Sequence, residues 1–186
     1  MKRIATTVII LLVTLAGMAQ GQVNLTKEEK KILKKEQKKQ AEKIMILNTS
    51  KALHASQYIL KADRIRGRGG VMINVNPRIN FVSVNGEEVY VQMGSESGLG
   101  YNGLGGITLK GRITGSSIEQ DEKNGSYYIL LNTMGAAGSL TISLNINVTG
   151  EMADAMVTTN WGSRVDFIGH VVPNGRLQVY KGRESF

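Results

Sequence analysis

The sequence has no cysteine, only 2 prolines in 186 residues, and few aromatic side chains, 5% in all. Without cysteine there can be no disulfide, no thiolate metal site and no cysteine nucleophile. A lipid-anchored bacterial N-terminus is excluded on the same ground. Histidine is nearly absent too: His54 and His170 are the only two, with no H-x-x-H or H-E-x-x-H spacing, so no zinc site is expected. No Gly-Lys-Ser/Thr triplet follows a glycine turn, so there is no phosphate-binding P-loop. No apolar run approaches the roughly 20 residues a membrane-spanning helix needs.

Positive charge is plentiful but local. The net charge is +8. Two of the cations, Lys2 and Arg3, stand at the N-terminus, and Thr26–Lys51 holds nine lysines against four glutamates. The rest of the chain carries twelve Lys/Arg against eleven Asp/Glu. A nucleic-acid-binding body would spread its basic residues over a folded face, so no nucleic-acid partner is expected.

Residues 1–19 read as a signal peptide. Lys2 and Arg3 give the positive start, Ile4–Leu15 a short apolar run, and Gly17-Met18-Ala19 the small residues of a cleavage site before Gln20. The mature chain is then expected in the periplasm or secreted, with no membrane span after cleavage. Residues 20–43 form a basic helical lead-in. Thr26 with Glu29 makes a capping box, and the Lys/Glu run that follows favours helix. Ile32 and Leu33 are too few for a coiled-coil seam. The lysines suggest at most a weak contact with anionic envelope surfaces, because the apolar face of an interfacial helix is missing. From Ile44 a looser stripe of Ile44, Met45, Leu47, Ala52, Leu53 and Ala55 suits packing on a sheet, with Asn48-Thr49-Ser50 weakening the helix midway.

Residues 44–186 read as a β-rich domain. Leu140–Thr149 alternates without exception: aliphatic at every even position, uncharged polar at every odd one. That period belongs to a half-buried antiparallel strand. Tyr58–Ala62 is a short strand, followed by a basic glycine-rich turn at Arg64–Gly70. Ile79–Met93 is a hairpin with Asn85-Gly86 at its tip, facing Val84 to Glu87 and Val82 to Val89, with Val82, Val84, Val89 and Val91 on the core side. Ile107–Ile113 alternates again. Ile118–Lys123 and Ser126–Thr133 form a second hairpin around Asn124-Gly125, its acidic first arm suited to a sheet edge. Ala153–Thr159 and Arg164–Val172 are joined at Asn160-Trp161-Gly162-Ser163, and Leu177–Tyr180 is a short last strand. Short connections favour antiparallel neighbours. The fold expected is α+β: an N-terminal helix, then a mostly antiparallel curved sheet of eight or nine strands, with open sheet, barrel and sandwich all left open.

The glycine run from Gly98-Leu99-Gly100-Tyr101-Asn102-Gly103 to Gly111, and the ending from Gly150 to Gly169 with its Arg-Val-Asp-Phe-Ile-Gly, resemble the exported Bacteroidetes proteins grouped as domain of unknown function 4251. The resemblance spans about residues 44–178. It departs at Val91-Gln92-Met93-Gly94, where the family often carries a Leu-Pro-aromatic segment. It implies export and a compact β-rich domain, and no activity.

No constellation makes a convincing enzyme. Gly98–Gly103 fits G-x-G-x-x-G, but a strand follows where a dinucleotide site needs a helix, so no cofactor is expected. Asp166, His170 and Ser163 share one strand and its turn, yet i and i+4 on a strand lie roughly 13 Å apart, too far for a base and its orienting acid. They read as solvent-facing polar residues. Glu87-Glu88 and Asp121-Glu122 read as solubilising charges, and the row Thr141, Ser143, Asn145, Asn147, Thr149 as a wet sheet face. The candidates for ligand contact are Tyr101 and Asn102 in the long glycine loop, and Asn160 and the single tryptophan, Trp161, at a turn. The leading expectation is an exported, non-enzymatic binding or interaction module for an unknown envelope ligand or protein. A glycan or peptidoglycan hydrolase and a structural accessory domain are the alternatives.

Overall fold

The structure, a computed structural model, describes residues 26–67, 69–95, 103, 105–173 and 179–185. The leader, Tyr101, Asn102, Leu177 and Gln178 lie outside them, and Val179 and Tyr180, expected in a short last strand, are described but belong to no strand. The chain divides into two compact units, Met1–Lys39 and Gln40–Phe186.

The first unit is helical where described, and every residue from Thr26 to Lys39 is exposed. The capping box is formed: Thr26 N donates to Glu29 Oε2 at 2.9 Å, and Glu29 N to Thr26 Oγ1 at 3.3 Å. The helix, α1, is continuous from Lys27 to His54, so Asn48-Thr49-Ser50 does not interrupt it. Nor does it lie along a sheet. Ile44 and Leu47 stay exposed, and only Thr49, Ala52 and Leu53 are buried in its last part. Ser56, at φ 51°, then turns the chain out of the helix.

Nine strands follow: β1 (Gln57–Arg66), β2 (Met72–Asn74), β3 (Phe81–Asn85), β4 (Glu88–Met93), β5 (Ile107–Gln120), β6 (Tyr127–Gly135), β7 (Gly138–Ile146), β8 (Ala153–Thr159) and β9 (Arg164–Pro173). All pairings are antiparallel, and from β3 to β9 each strand pairs with the next. The last strand pairs back on the first, from Tyr58↔Pro173 to Arg66↔Asp166, which closes the sheet into a barrel. β2 and β3 lie end to end along one side of β1, separated by an excursion near 76–79. The barrel therefore has eight positions around its wall.

Closure explains several departures from the linear reading. Arg64-Ile65-Arg66 is strand and not turn, because β9 and β2 supply partners on both sides of β1. The two segments expected around 107–113 and 118–123 are one long strand, β5. It pairs with β4 as far as Arg112 and with β6 from there to Gln120, so its outer half has one neighbour only. The first hairpin turns at Gly86-Glu87, one residue later than Asn85-Gly86, and pairs Val84 with Val89 and Val82 with Val91. Gly86 has φ 61° while Glu87 has no positive φ, the pattern of a turn with glycine at its first central position. A one-residue move of the turn shifts the register by two, which leaves every side chain on its expected face.

The alternation survives closure. Leu140, Ile142, Leu144 and Ile146 point inward and are buried, together with Leu60, Val82, Val84, Val89, Ile129 and Phe167. The polar positions between them face out. This is the opposite sense to a barrel that spans a membrane, where the apolar face is outside. Among the described residues no helix is long and apolar enough to cross a membrane.

The two ends of the barrel differ. At the end where β1 begins, the last turns of α1 close the interior. Ala52 and Leu53 join the core, and Thr49 Oγ1 donates to Thr149 O at 2.9 Å. Gly150 sits beneath at φ 78°, and a Cβ there would come within 2.8 Å of Thr49 Oγ1, so only glycine seats the helix. The other end has no such plug among the described residues.

Candidate functional site

The open end is a concave mouth of about 550 Å³. Three pairs of strands build it, because in an antiparallel meander alternate connections emerge at the same end. β4 contributes Val91 and Met93; β5 contributes Ile107 and Leu109. The β6–β7 turn brings Ala136, Ala137 and Gly138. The rest comes from β8 (Val157, Thr159), the β8–β9 turn (Trp161, Ser163) and β9 (Val165, Phe167). These are the inward positions of strands whose lower parts fill the core. An eight-strand barrel is just wide enough to be filled by side chains or to hold one small ligand, and here the lower part is filled while the upper part is hollow.

Trp161 is 62% exposed yet lines the cavity, so its ring is wet on one side and faces apolar surface on the other. The neighbouring hairpin holds it in place. Asn160 N donates to Ser139 O at 3.2 Å. A Cβ on Gly138 would lie 3.3 Å from Asn160 Oδ1 and 3.4 Å from Trp161 Cζ3, and Gly138 has φ 90°. The β6–β7 turn therefore needs glycine both for its backbone and for the approach of the tryptophan turn. Thr159 and Ser163 bond to one another, Ser163 N to Thr159 Oγ1 at 3.0 Å. Of the four residues expected to contact a ligand, Trp161 lines the mouth and Asn160 supports it. Tyr101 and Asn102 lie outside the described residues, though both ends of their loop, Met93 and Ile107, are at this mouth.

No described lining residue is ionisable. The titratable groups singled out from the sequence are elsewhere. His54 stands at the closed end, edge-on to Tyr127 with ring centroids 6.1 Å apart. His170 Nδ1 is 3.3 Å from Asp63 Oδ2 on the outer wall. Asp166 also points outward but is not solvent-facing as expected. It is buried between Arg66 Nη2 at 2.7 Å and Arg164 Nε at 2.9 Å. Burial pushes its carboxyl up, but the hydrogen bonds and charge of Arg164 and Arg66 outweigh burial and hold it below the usual carboxylate range. Ser163, seven strand residues from His170, is on the mouth side of the wall, so no Ser–His–Asp array assembles. Among the described residues no group of His, Asp and Glu could hold a metal ion.

A second concavity, about 530 Å³, lies outside the wall across β4, β5 and β6. Its carboxylates are held by cations: Glu87 accepts from Arg112 Nε at 3.0 Å, and Lys110 Nζ lies 3.3 Å from Glu88 and 3.7 Å from Glu184. Residues 179–185 strap this wall. Gln92 Nε2 donates to Tyr180 O at 2.7 Å, and Gly182 N to Gln92 Oε1 at 2.8 Å.

The family profile for the domain of unknown function DUF4251 matches residues 35–171. The chain belongs to the DUF4251 family. It is similar to the crystal structure of a DUF4251 family protein from Bacteroides eggerthii, at 27% identity and a TM-score of 0.59, over 72% of this chain and 90% of that one. None of the curated proteins matches. The matched span of this DUF4251 chain runs from α1 to Val171, so it takes in the helical plug, the whole barrel wall and the mouth.

Sequence reasoning found the inward aliphatics but not the mouth. Ile107 and Leu109 read as ordinary alternating strand positions, and Met93, Val157, Val165 and Phe167 only as members of strands. Nothing in their pattern separates a filled barrel level from an empty one.

Proposed function

We propose that this DUF4251 protein is an exported, non-enzymatic binding module that takes an apolar ligand into the open mouth of its barrel. The observation that carries the reading is the cavity: about 550 Å³, apolar walls, a half-wet tryptophan at the rim and no ionisable side chain among the described lining residues. Ligand sites are concave, mostly apolar and furnished with a few neutral polar groups, here Thr159 and Ser163. A hydrolase would need at least two titratable groups converging in the cleft. Among the described residues, Asp63, Asp166, Glu87, Glu88 and His170 are instead engaged on the outer wall, and His54 stands at the closed end. Export, to the periplasm or as a secreted protein, rests on the N-terminal leader sequence.

The test is a thermal-shift scan of residues 20–186 against fatty acids, bile acids, lipopolysaccharide, glycans and peptidoglycan fragments. An apolar ligand at about 100 times its Kd should stabilise the protein by about 2.7 kcal/mol. Val165→Trp, which fills the mouth, should abolish the shift while leaving the far-UV circular dichroism unchanged. A flat response to every apolar compound, or turnover of a peptidoglycan fragment, would sink the reading.

A further inference from the structure

The rim of the mouth differs from the rest of the surface. β1 and β2 rise above the level at which β3 begins, since Arg66 pairs with Met72 while Lys61 already pairs with Phe81. This raised wall carries three exposed apolar residues in a row, Val71, Met72 and Ile73, at 71%, 41% and 55% exposure. Trp161, at 62% exposure, stands on the same rim at the β8–β9 turn, beyond β1 and β9. The same end carries arginines. Arg64 and Arg66 are at the top of β1, Arg164 opens β9, and Arg78 belongs to the excursion between β2 and β3. Two of the four, Arg66 and Arg164, share the carboxylate of Asp166, and Asp63 lies against His170, so the described part of this end keeps a net positive charge, carried outermost by Arg64 and Arg78.

The geometry points to a docking face for an anionic lipid bilayer, from which the mouth takes a lipid chain. This rests on the binding role proposed above and names its ligand source. Exposed aliphatics and an aromatic ring suit the interfacial layer, where Trp is favoured, and arginines suit anionic headgroups. The cavity behind that rim accepts only uncharged matter at low cost, because a charge placed inside would lose its hydration with no partner. A headgroup therefore stays outside among the arginines while the chain enters. A polar partner surface would not explain the bare aliphatics, and a glycan would not explain the apolar interior.

The single tryptophan makes the test direct. The mature chain is mixed with vesicles of phosphatidylglycerol and phosphatidylethanolamine, and separately with phosphatidylcholine vesicles. The anionic vesicles should shift Trp161 emission to the blue, and lipids with brominated chains should quench it; phosphatidylcholine should do neither. Arg64→Glu with Arg78→Glu should weaken anionic-vesicle binding at least tenfold, as should Val71→Asp with Ile73→Asp. Both pairs should leave binding of a soluble apolar dye unchanged. Reversing Lys34, Lys38 and Lys39 to Glu in the helix should have the smaller effect. The inference is overturned if Trp161 does not respond to anionic vesicles, if binding follows the helix lysines and ignores the arginines, or if Trp161 is instead buried by dimerisation without lipid. Dye binding that persists without vesicle binding overturns this inference alone; loss of both removes the binding role as well.

Discussion

At the scale of single residues the outer wall holds the largest departure from the linear reading. Asp166 is in an alternating strand at a polar position, and its exposure would follow if β9 were an outer strand. Its partner Arg66 is 100 residues away and meets it only because β9 closes on β1. The carboxylate side chain is 6% exposed while its arginines are 43% and 53% exposed, so solvent screens part of the attraction. Asp166→Asn is expected to cost about 1–3 kcal/mol at pH 7, read from urea melts. The sign with pH follows from the lowered carboxyl pKa. Its stabilisation is complete above the unfolded value, about 3.9, and fades as pH falls through the lower folded value. The variant should therefore lose less stability between pH 7 and pH 3 than the parent. Asp154 behaves in the opposite way. Burial first, then the charge of Asp166, raises its carboxyl pKa against the pull of Arg66, so ionisation costs the fold something at neutral pH. Asp154→Asn is expected to leave stability at pH 7 unchanged or to raise it.

At the scale of elements the helix and the first hairpin show what local signals can and cannot say. The Thr26/Glu29 box places the start of α1 correctly because it is satisfied within one turn. The apolar stripe after Ile44 suggested a helix lying on a sheet, yet a barrel end is small and admits only the last turns, at Thr49, Ala52 and Leu53. Leu53→Ala is expected to destabilise by about 2–5 kcal/mol, since a 3%-exposed leucine leaves a hole at the plugged end. Ile44→Ala, at 59% exposure, should cost less than about 0.5 kcal/mol. Equilibrium unfolding of the two variants side by side checks the contrast. In the hairpin, Asn85-Gly86 was the preferred pair by type, but Gly86-Glu87 brings Val84 opposite Val89 and Val82 opposite Val91, and valine-on-valine pairing across the strands decides between neighbouring turns.

At the scale of the whole molecule the two units differ in what supports them. The described turns of the first unit bury none of their residues, and an isolated helix of that length is marginal in water. The barrel is held by a closed ladder with a common core. Hydrogen exchange of the mature protein is therefore expected to finish for Lys27–Lys39 in seconds, while Ile142–Ile146 in β7 remain protected for hours. Equal protection of both segments would show that the helix has a packing partner. The mouth and the strapped outer wall both belong to the second unit.

The sequence by itself determined that a helix precedes a mostly antiparallel β-rich body, the helix cap, and the inward side of the alternating stretches within 82–91, 107–113 and 140–146. These follow from period-two alternation and from side chains within a few residues of each other. It also determined the chemistry that is missing: thiols, zinc motifs and a P-loop. Whether the curved sheet stays open, stacks or closes was decided by the pairing of β1 with β9, a contact between residues 100 or more positions apart. Tertiary structure alone also decided that one barrel end is plugged and the other hollow. Inward aliphatics look the same in a chain whether they touch one another or line an empty mouth, and only the distance across the barrel tells the two apart.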